Sequence, residues 1–123
     1  MIHLDTNFLI RAFLPNSAAE TKLQTWLRDG EDLGISAIAW SEFLCGPLTA
    51  SDAALAEELF DAPEPFLASN ARKAAELFNA TGRRSRSLAD CQIAAVAMRC
   101  NARLATANVS DFTPFQTHGL SQV

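Results

Sequence analysis

At 123 residues the chain suits one compact domain, residues 1–123, and is too short for two. Apolar residues make up 49% and charged residues 20%, which excludes a disordered chain, and no apolar run approaches the ~18 residues of a membrane span. A net charge of −4 excludes coating nucleic acid by bulk positive charge, but not local contact with phosphates through a few of its arginines.

Residues 2–5 read as a short buried strand. Phe8, Leu9, Ala12 and Phe13 then have helical spacing until Pro15 ends the pattern. "NSAAETKLQTWLRDG" is a second helix, with Ser17 and Glu20 spaced as a capping box and Gly30 just past the last turn. "DLGIS" is a second strand, apolar enough to be buried on both faces. "AIAWSEFLCG" is a helix stopped at Gly46-Pro47, and "SDAALAEELFD" is another, capped by Ser51 or Asp52. "APEPFLA" is a Pro-rich connector with room for a short edge strand. "SNARKAAELFNATG" is helical to Gly82, and "RRSRS" is a polar, basic loop. "LADCQIAAVAMRC" is the most apolar helix, closed by Asn101 as a left-handed cap. "RLATAN" supplies a further strand, "SDF" a turn or short helix, and "GLSQV" a last strand.

Short strands alternating with helices imply an α/β sandwich with a mainly parallel sheet, in which ligands gather at the carboxyl ends of strands. Asp5 and the loop after "RLATA" fall at such ends. Cys45, Cys91 and Cys100 lie in apolar helical patterns without a C-x-x-C pair and read as small buried thiols in a reducing compartment. His3 and His118 have no ligand-like spacing to them, so zinc is not expected. Asp5 also interrupts the N-terminal apolar run, so the expected location is the cytoplasm, without a secretory leader or a membrane.

Four acids interrupt or border apolar sequence: Asp5, Glu42, Asp90 and Asp111. The chain has 14 acidic and 10 basic residues, so these four equal its whole formal excess of negative charge. Carboxylates gathered in one cleft repel each other and lose hydration, and they either take up protons or bind cations. Oxygen-only ligands suit Mg²⁺ or Mn²⁺, which lower the pKa of a bound water; a second ion ~3.5–4 Å away stabilises the leaving oxygen of an in-line displacement. Each acid also has a plainer reading. Asp5 fits an N-cap, Glu42 a solvent-facing helical position, Asp90 a capping box with Ser87, and Asp111 the cap of a helix starting at Phe112. Their joint order favours the chemical reading.

"HLDTNFLI", "SAIAWSEFLCG", "LADCQIAAVA" and "LATANVSDF", in that order and spacing, resemble the motifs of a PIN domain, and more narrowly those of the toxin ribonucleases of VapBC toxin–antitoxin systems. The resemblance covers nearly the whole chain. It implies a parallel five-stranded sheet flanked by helices, and Mg²⁺- or Mn²⁺-dependent endoribonuclease activity. It places metal ligands at Asp5 and Asp90, with Glu42 and Asp111 completing the pocket through water, positioning the attacking water or holding a second ion. Neutral Asn108 stands at one of the family's two late acidic places, so a second ion would be held more loosely. Thr6, Ser41 and Thr106 could orient water or carboxylates, and Asn7 is expected to tie the first loop to neighbouring backbone. His3 is expected in the core or on a sheet face.

Arg83, Arg84 and Arg86 form the densest basic cluster, either a solvated loop or a clamp on RNA phosphates. Trp26, Trp40, Leu44, Leu55, Leu59 and Phe60 are more apolar surface than one small core should hide, which hints at a dimer or a partner groove. The resemblance implies both, a homodimer and a cognate antitoxin, in a heterotetramer or larger assembly. Two rival readings are a non-catalytic PIN-fold binding module and a PIN nuclease outside toxin–antitoxin systems. A phosphotransfer receiver lacks its paired acids and late lysine here, and a D-x-D phosphatase is excluded because residue 7 is Asn.

Overall fold

The computed structural model describes residues 1–123. Four parallel strands form one sheet: β1 (Ile2–Leu4), β2 (Leu33–Gly34), β3 (Arg103–Ala105) and β4 (Ser121–Gln122), in the spatial order β2-β1-β3-β4. Seven α-helices flank it: α1 (Thr6–Ala12), α2 (Ala18–Arg28), α3 (Ala37–Leu44), α4 (Ala50–Leu59), α5 (Ala68–Ala80), α6 (Leu88–Arg99) and α7 (Val109–Phe112). β1 is central, pairing His3 with Gly34 on one side and with Leu104 on the other. All three of its residues are buried, as a strand covered on both faces requires.

The expected fifth strand is reduced to one parallel bridge, between Ser36 and Glu64. The Glu64 amide donates to the Ile35 carbonyl and its carbonyl accepts from Ala37, but Pro63 and Pro65 flank it. Neither proline has an N–H with which to extend a ladder.

Local signals set most helix ends. Ser17 caps α2 by accepting from the Glu20 amide at 3.0 Å, while the Glu20 carboxylate reaches back to the Asn16 amide, one residue before the cap. Gly30 and Asn101 are left-handed, at φ 72° and 52°, and end α2 and α6 as expected. α4 is capped by Thr49, whose hydroxyl accepts from the Asp52 amide, rather than by Ser51 or Asp52. Thr is a good N-cap, though it ranks a little below Ser and Asp, and at the cap its Cβ-branched side chain stays outside the helix.

A 25-residue apolar cluster fills the interior, drawing Ile2, Leu4, Phe8, Phe43, Ile93 and Leu104 from strands and helices alike. Trp26 stacks on Phe8 with ring centroids 5.4 Å apart, fixing α2 on α1. α6 buries Cys91 and every residue from Ile93 to Ala97 and packs against both α5 and β3. Cys45, by contrast, is exposed at the end of α3.

His3 is 1% exposed, and neither ring nitrogen has a hydrogen-bond partner. Burial pushes its pKa down to about 4, so the ring is neutral. The ring crowds Gly34, where an added Cβ would stand 2.7 Å from two ring atoms. Gly34→Ala should therefore destabilise the protein by about 1–3 kcal/mol, read as a lower denaturant midpoint; an unchanged midpoint would mean the ring turns away freely.

Candidate active site

Asp5 closes β1 at its carboxyl end, where its amide donates to the Ala105 carbonyl of β3 at 2.9 Å. It is 3% exposed, and it is the N-cap of α1. Its Oδ1 accepts from the Thr6 amide and its Oδ2 from the Thr106 hydroxyl, each at 2.8 Å. The Thr106 oxygen in turn accepts from the Asn108 amide at 3.0 Å, so the ends of two adjacent strands are stitched through one carboxylate. The plain capping reading of Asp5 is thus realised, and it leaves the second carboxylate oxygen engaged elsewhere.

Thr6, also buried, carries a hydroxyl with a single proton. It donates to Glu42 Oε1 at 2.9 Å, with the Ala39 carbonyl a longer alternative at 3.3 Å. α3 therefore presents Glu42 to the end of β1. Glu42 is otherwise exposed, as its solvent-facing reading has it, and so is Asp111, whereas Asp5 is buried and Asp90 half-buried.

Asp90 sits in the first turn of α6. Ser87 does not cap that helix; its hydroxyl donates to the Arg84 carbonyl at 2.8 Å, so the capping-box reading of Asp90 is not realised. Asp111 likewise lies inside α7, whose N-cap position is Asn108. A helix N-terminus lowers a carboxyl pKa, yet that of Asp90 is pushed up to about 7. Burial is the main cause, and the charges of Asp5, Asp111 and Glu42 add to it. Burial also raises Asp5, against the hydrogen bonds from Thr106 and Thr6, with Glu42 and Asp111 again repelling. The four acids from four separate segments thus share one electrostatic environment.

No cation answers them. The side-chain ion pairs of the molecule are Lys73–Glu76 and Arg99–Glu64, both away from this cluster. No three acid, histidine or cysteine groups converge closely enough to form a ready metal cage.

The basic segment folds toward the same place. Arg84 and Arg86 line a cavity of about 480 Å³ together with Asp90 and Asp111, whereas Arg83, at φ 56°, is not part of its lining. Ser85, Ser87 and Ser110 complete its polar surface and were not singled out in the sequence. Their only signal was their position beside the arginines and Asp111. Ser41 is exposed next to Glu42. Asn7 also faces solvent rather than tying down the loop, because one helical step carries it round from buried Thr6.

Of the apolar residues expected to seek a partner, Phe60 belongs to the core and Trp26, Trp40 and Leu59 pack against it. Leu44 and Leu55 remain exposed. Leu55 and Leu27 open onto a groove of about 450 Å³ with Phe13 and Leu23.

The family model of the PIN domain matches residues 2–112. No curated protein sequence matches the chain. Among solved structures, the chain is similar to FitAcB from Neisseria gonorrhoeae, with 24% identity, 99% of this chain and 96% of that chain covered, and a TM-score of 0.73. It is also similar to VapBC2 from Rickettsia felis bound to a promoter DNA fragment, at 21% identity, 100% and 98% coverage and a TM-score of 0.74. A toxin–antitoxin complex from Klebsiella pneumoniae is 25% identical over 92% of this chain and 91% of that chain, with a TM-score of 0.74.

Proposed function

This chain belongs to the PIN domain family, and from that premise we propose that it is the toxin of a type II toxin–antitoxin pair, a Mg²⁺- or Mn²⁺-dependent endoribonuclease that hydrolyses RNA phosphodiester bonds. The observation that carries the chemistry is that Asp5, Glu42, Asp90 and Asp111 lie within electrostatic reach of one another, with no cationic side chain paired to any of them.

The donor set fits a hard divalent cation. It is all oxygen, and two of its members hold protons more tightly than free carboxylates do, so a cation relieves their repulsion. Asp5 and Asp90 are assigned as its direct ligands, with Glu42 and Asp111 acting through water. When bound, such an ion supplies charge to the phosphoryl oxygens and lowers the pKa of water. Thr106 and Thr6 aim the oxygens of Asp5 and Glu42, and the Asn108 amide fixes Thr106. Arg83, Arg84 and Arg86 meet the RNA backbone.

The Klebsiella pneumoniae structure is a toxin–antitoxin complex, which supports a cognate antitoxin as partner here. The exposed Leu44 and the groove at Leu27 and Leu55 offer apolar surface for that partner and for a homodimer, within a heterotetramer or larger assembly. No helix is long and apolar enough to cross a membrane. The proposed site of action is the cytoplasm, where an exposed Cys45 thiol stays reduced.

The missing cage is the observation that favours a non-catalytic PIN module instead. A thermal melt separates the two. Saturating Mn²⁺ should raise the melting temperature by about 5–10 °C, and RNA should be cut only when the ion is present. No shift and no cleavage would leave the binding module as the better account. Cleavage without an antitoxin-like reading frame nearby would point to a PIN nuclease outside toxin–antitoxin systems.

A further inference from the structure

From Asp29 to Ala71 the chain carries nine acidic residues and no lysine or arginine, while the rest of it holds all ten bases. α4 lies within this stretch and has no basic residue in its last turn, where the negative end of the helix favours one. That end is also uncapped. Phe60 leaves the helix in an extended conformation, and the amides of Phe60, Asp61 and Ala62 donate to no other backbone group. Pro63 has no N–H to offer. The last carbonyls of α4 therefore lack the donors that normally close a helix.

Beside that end is a cavity of about 260 Å³ lined by Trp40, Glu57, Phe60, Asp61, Ala62 and Pro63. The rings of Trp40 and Phe60 meet edge to face, with centroids 6.2 Å apart. Glu57 and Asp61 are exposed, and neither belongs to an ion pair. Two helical steps carry Trp40 about 200° round α3 from Glu42, and none of the four clustered acids lines this cavity. It is a different place from the candidate active site.

Aromatic rings, unpaired carboxylates and uncapped carbonyls ask for the same ligand, a cation rich in donors. An ammonium brings charge but is compact and strongly hydrated. A guanidinium is flat, more weakly hydrated, stacks on an indole and carries five N–H donors in a fork that matches a carboxylate. The volume falls below the ~300–1,000 Å³ of small-molecule sites, on the scale of a single side chain. We infer that this cavity receives an arginine side chain of a partner polypeptide, paired with Glu57 and Asp61 and packed on Trp40. The acidic stretch around it favours a partner segment that is basic overall and steers its approach. The inference is independent of the nuclease reading, because it uses none of the residues assigned to cleavage.

Nuclear magnetic resonance on the full ¹⁵N-labelled chain tests it through the indole N–H of Trp40, identified by its loss in Trp40→Phe. The probes are acetyl-Gly-Arg-Gly-amide and its lysine and citrulline counterparts. The arginine peptide should move the Trp40 resonance saturably, with a dissociation constant on the order of 1 mM. The lysine peptide should bind about threefold more weakly, and the neutral citrulline peptide should not bind. Glu57→Gln and Asp61→Asn should each weaken the arginine peptide about two- to fivefold, and together about tenfold. RNA cleavage by both variants should be unchanged. Asp29→Asn, an exposed acid outside the cavity, should alter neither binding nor cleavage. Equal binding of the citrulline peptide would make the cavity a groove for any peptide, and equal binding of the lysine peptide would make it a general ammonium site. An equal loss in Asp29→Asn would reduce the effect to bulk charge. Any of these, or a Trp40 resonance that does not move, overturns the proposal while leaving the nuclease reading standing.

Discussion

Asp90→Asn is expected to cut RNA cleavage by about 10²–10³-fold or more while the protein stays folded. The replacement keeps the size and shape of a half-buried group at the start of α6 and removes only its charge. Asp90 makes no cap bond in the structure, so nothing local depends on its being a carboxylate. The same experiment on Asp5 is harsher. Both of its oxygens accept, from the Thr6 amide and the Thr106 hydroxyl, and an asparagine keeps only one acceptor oxygen. Asp5→Asn should lose cleavage to the same degree, and it keeps its fold only if the Thr106 hydroxyl turns to accept from the new amide. Steady-state cleavage of a labelled RNA, beside circular dichroism and a thermal melt, reads both halves. An Asp90→Asn protein that cleaves normally, or that fails to fold, would remove Asp90 from the chemistry.

The second large effect is on stability against pH in metal-free buffer. The Asp90 pKa is about 7 in the folded protein against 3.8 ordinarily, so between those values the folded state holds a proton that the unfolded state has released. Its favourable contribution is complete below pH 3.8 and is lost as pH rises through 7. The full span corresponds to roughly 4 kcal/mol at most, less what solvent at the half-open mouth screens. His3 acts in the opposite sense. Its pKa falls from 6.5 to about 4, so its contribution is complete above 6.5 and is lost as pH falls through 4, by roughly 3 kcal/mol. The two oppose each other between 4 and 6.5. Lowering the pH from 8 to 6.5 should therefore stabilise the protein, and further acid should return little or nothing. Asp90→Asn should be the more stable protein at pH 8 in the presence of a chelator, with an advantage that shrinks as pH drops below 7. Denaturant midpoints at half-unit steps provide the measurement. Parallel profiles for the two proteins would show that repulsion at Asp90 is not felt.

Both expectations begin from residues that could be picked out of the sequence. Asp5 and Asp90 were conspicuous because each breaks an apolar run, and burial is what makes such a break costly. The ends of α2 and α6 were legible at Ser17, Gly30 and Asn101 for a different reason: a cap is an interaction among residues within four places of each other. The same locality explains the small misplacement at α4, where Thr49, Ser51 and Asp52 can all cap and only the packed helix chooses among them. The fifth strand was glimpsed in "APEPFLA", but its reduction to one bridge followed from which neighbour Glu64 met. The resemblance to PIN domains supplied the order of the four motifs, and the family match agrees with it.

Other features had no local signature. Glu42 had a solvent-facing reading in the sequence, but nothing there decided between it and burial for Glu42 or Asp111, since exposure depends on what else covers a helix. Nothing in "RRSRS" says that Arg84 and Arg86 turn into a cavity with Asp90 while Arg83 does not; the left-handed backbone at Arg83 and the docking of α7 decide it. Cys45 was misjudged because an apolar pattern says which residues want burial, not whether the end of a helix receives it. By itself, then, the sequence determined an α/β chain of capped helices and short buried strands, with four acids out of place in it. Only the tertiary structure decided that those acids come within electrostatic reach of one another, by pairing β1 with β3 across about a hundred residues, linking Asp5 to Thr106 and Thr6 to Glu42, and setting Asp90 and Asp111 around one cavity. The physical reason is range: capping and periodicity act within a turn or two, whereas the repulsion that raises Asp90 exists only after the sheet has formed.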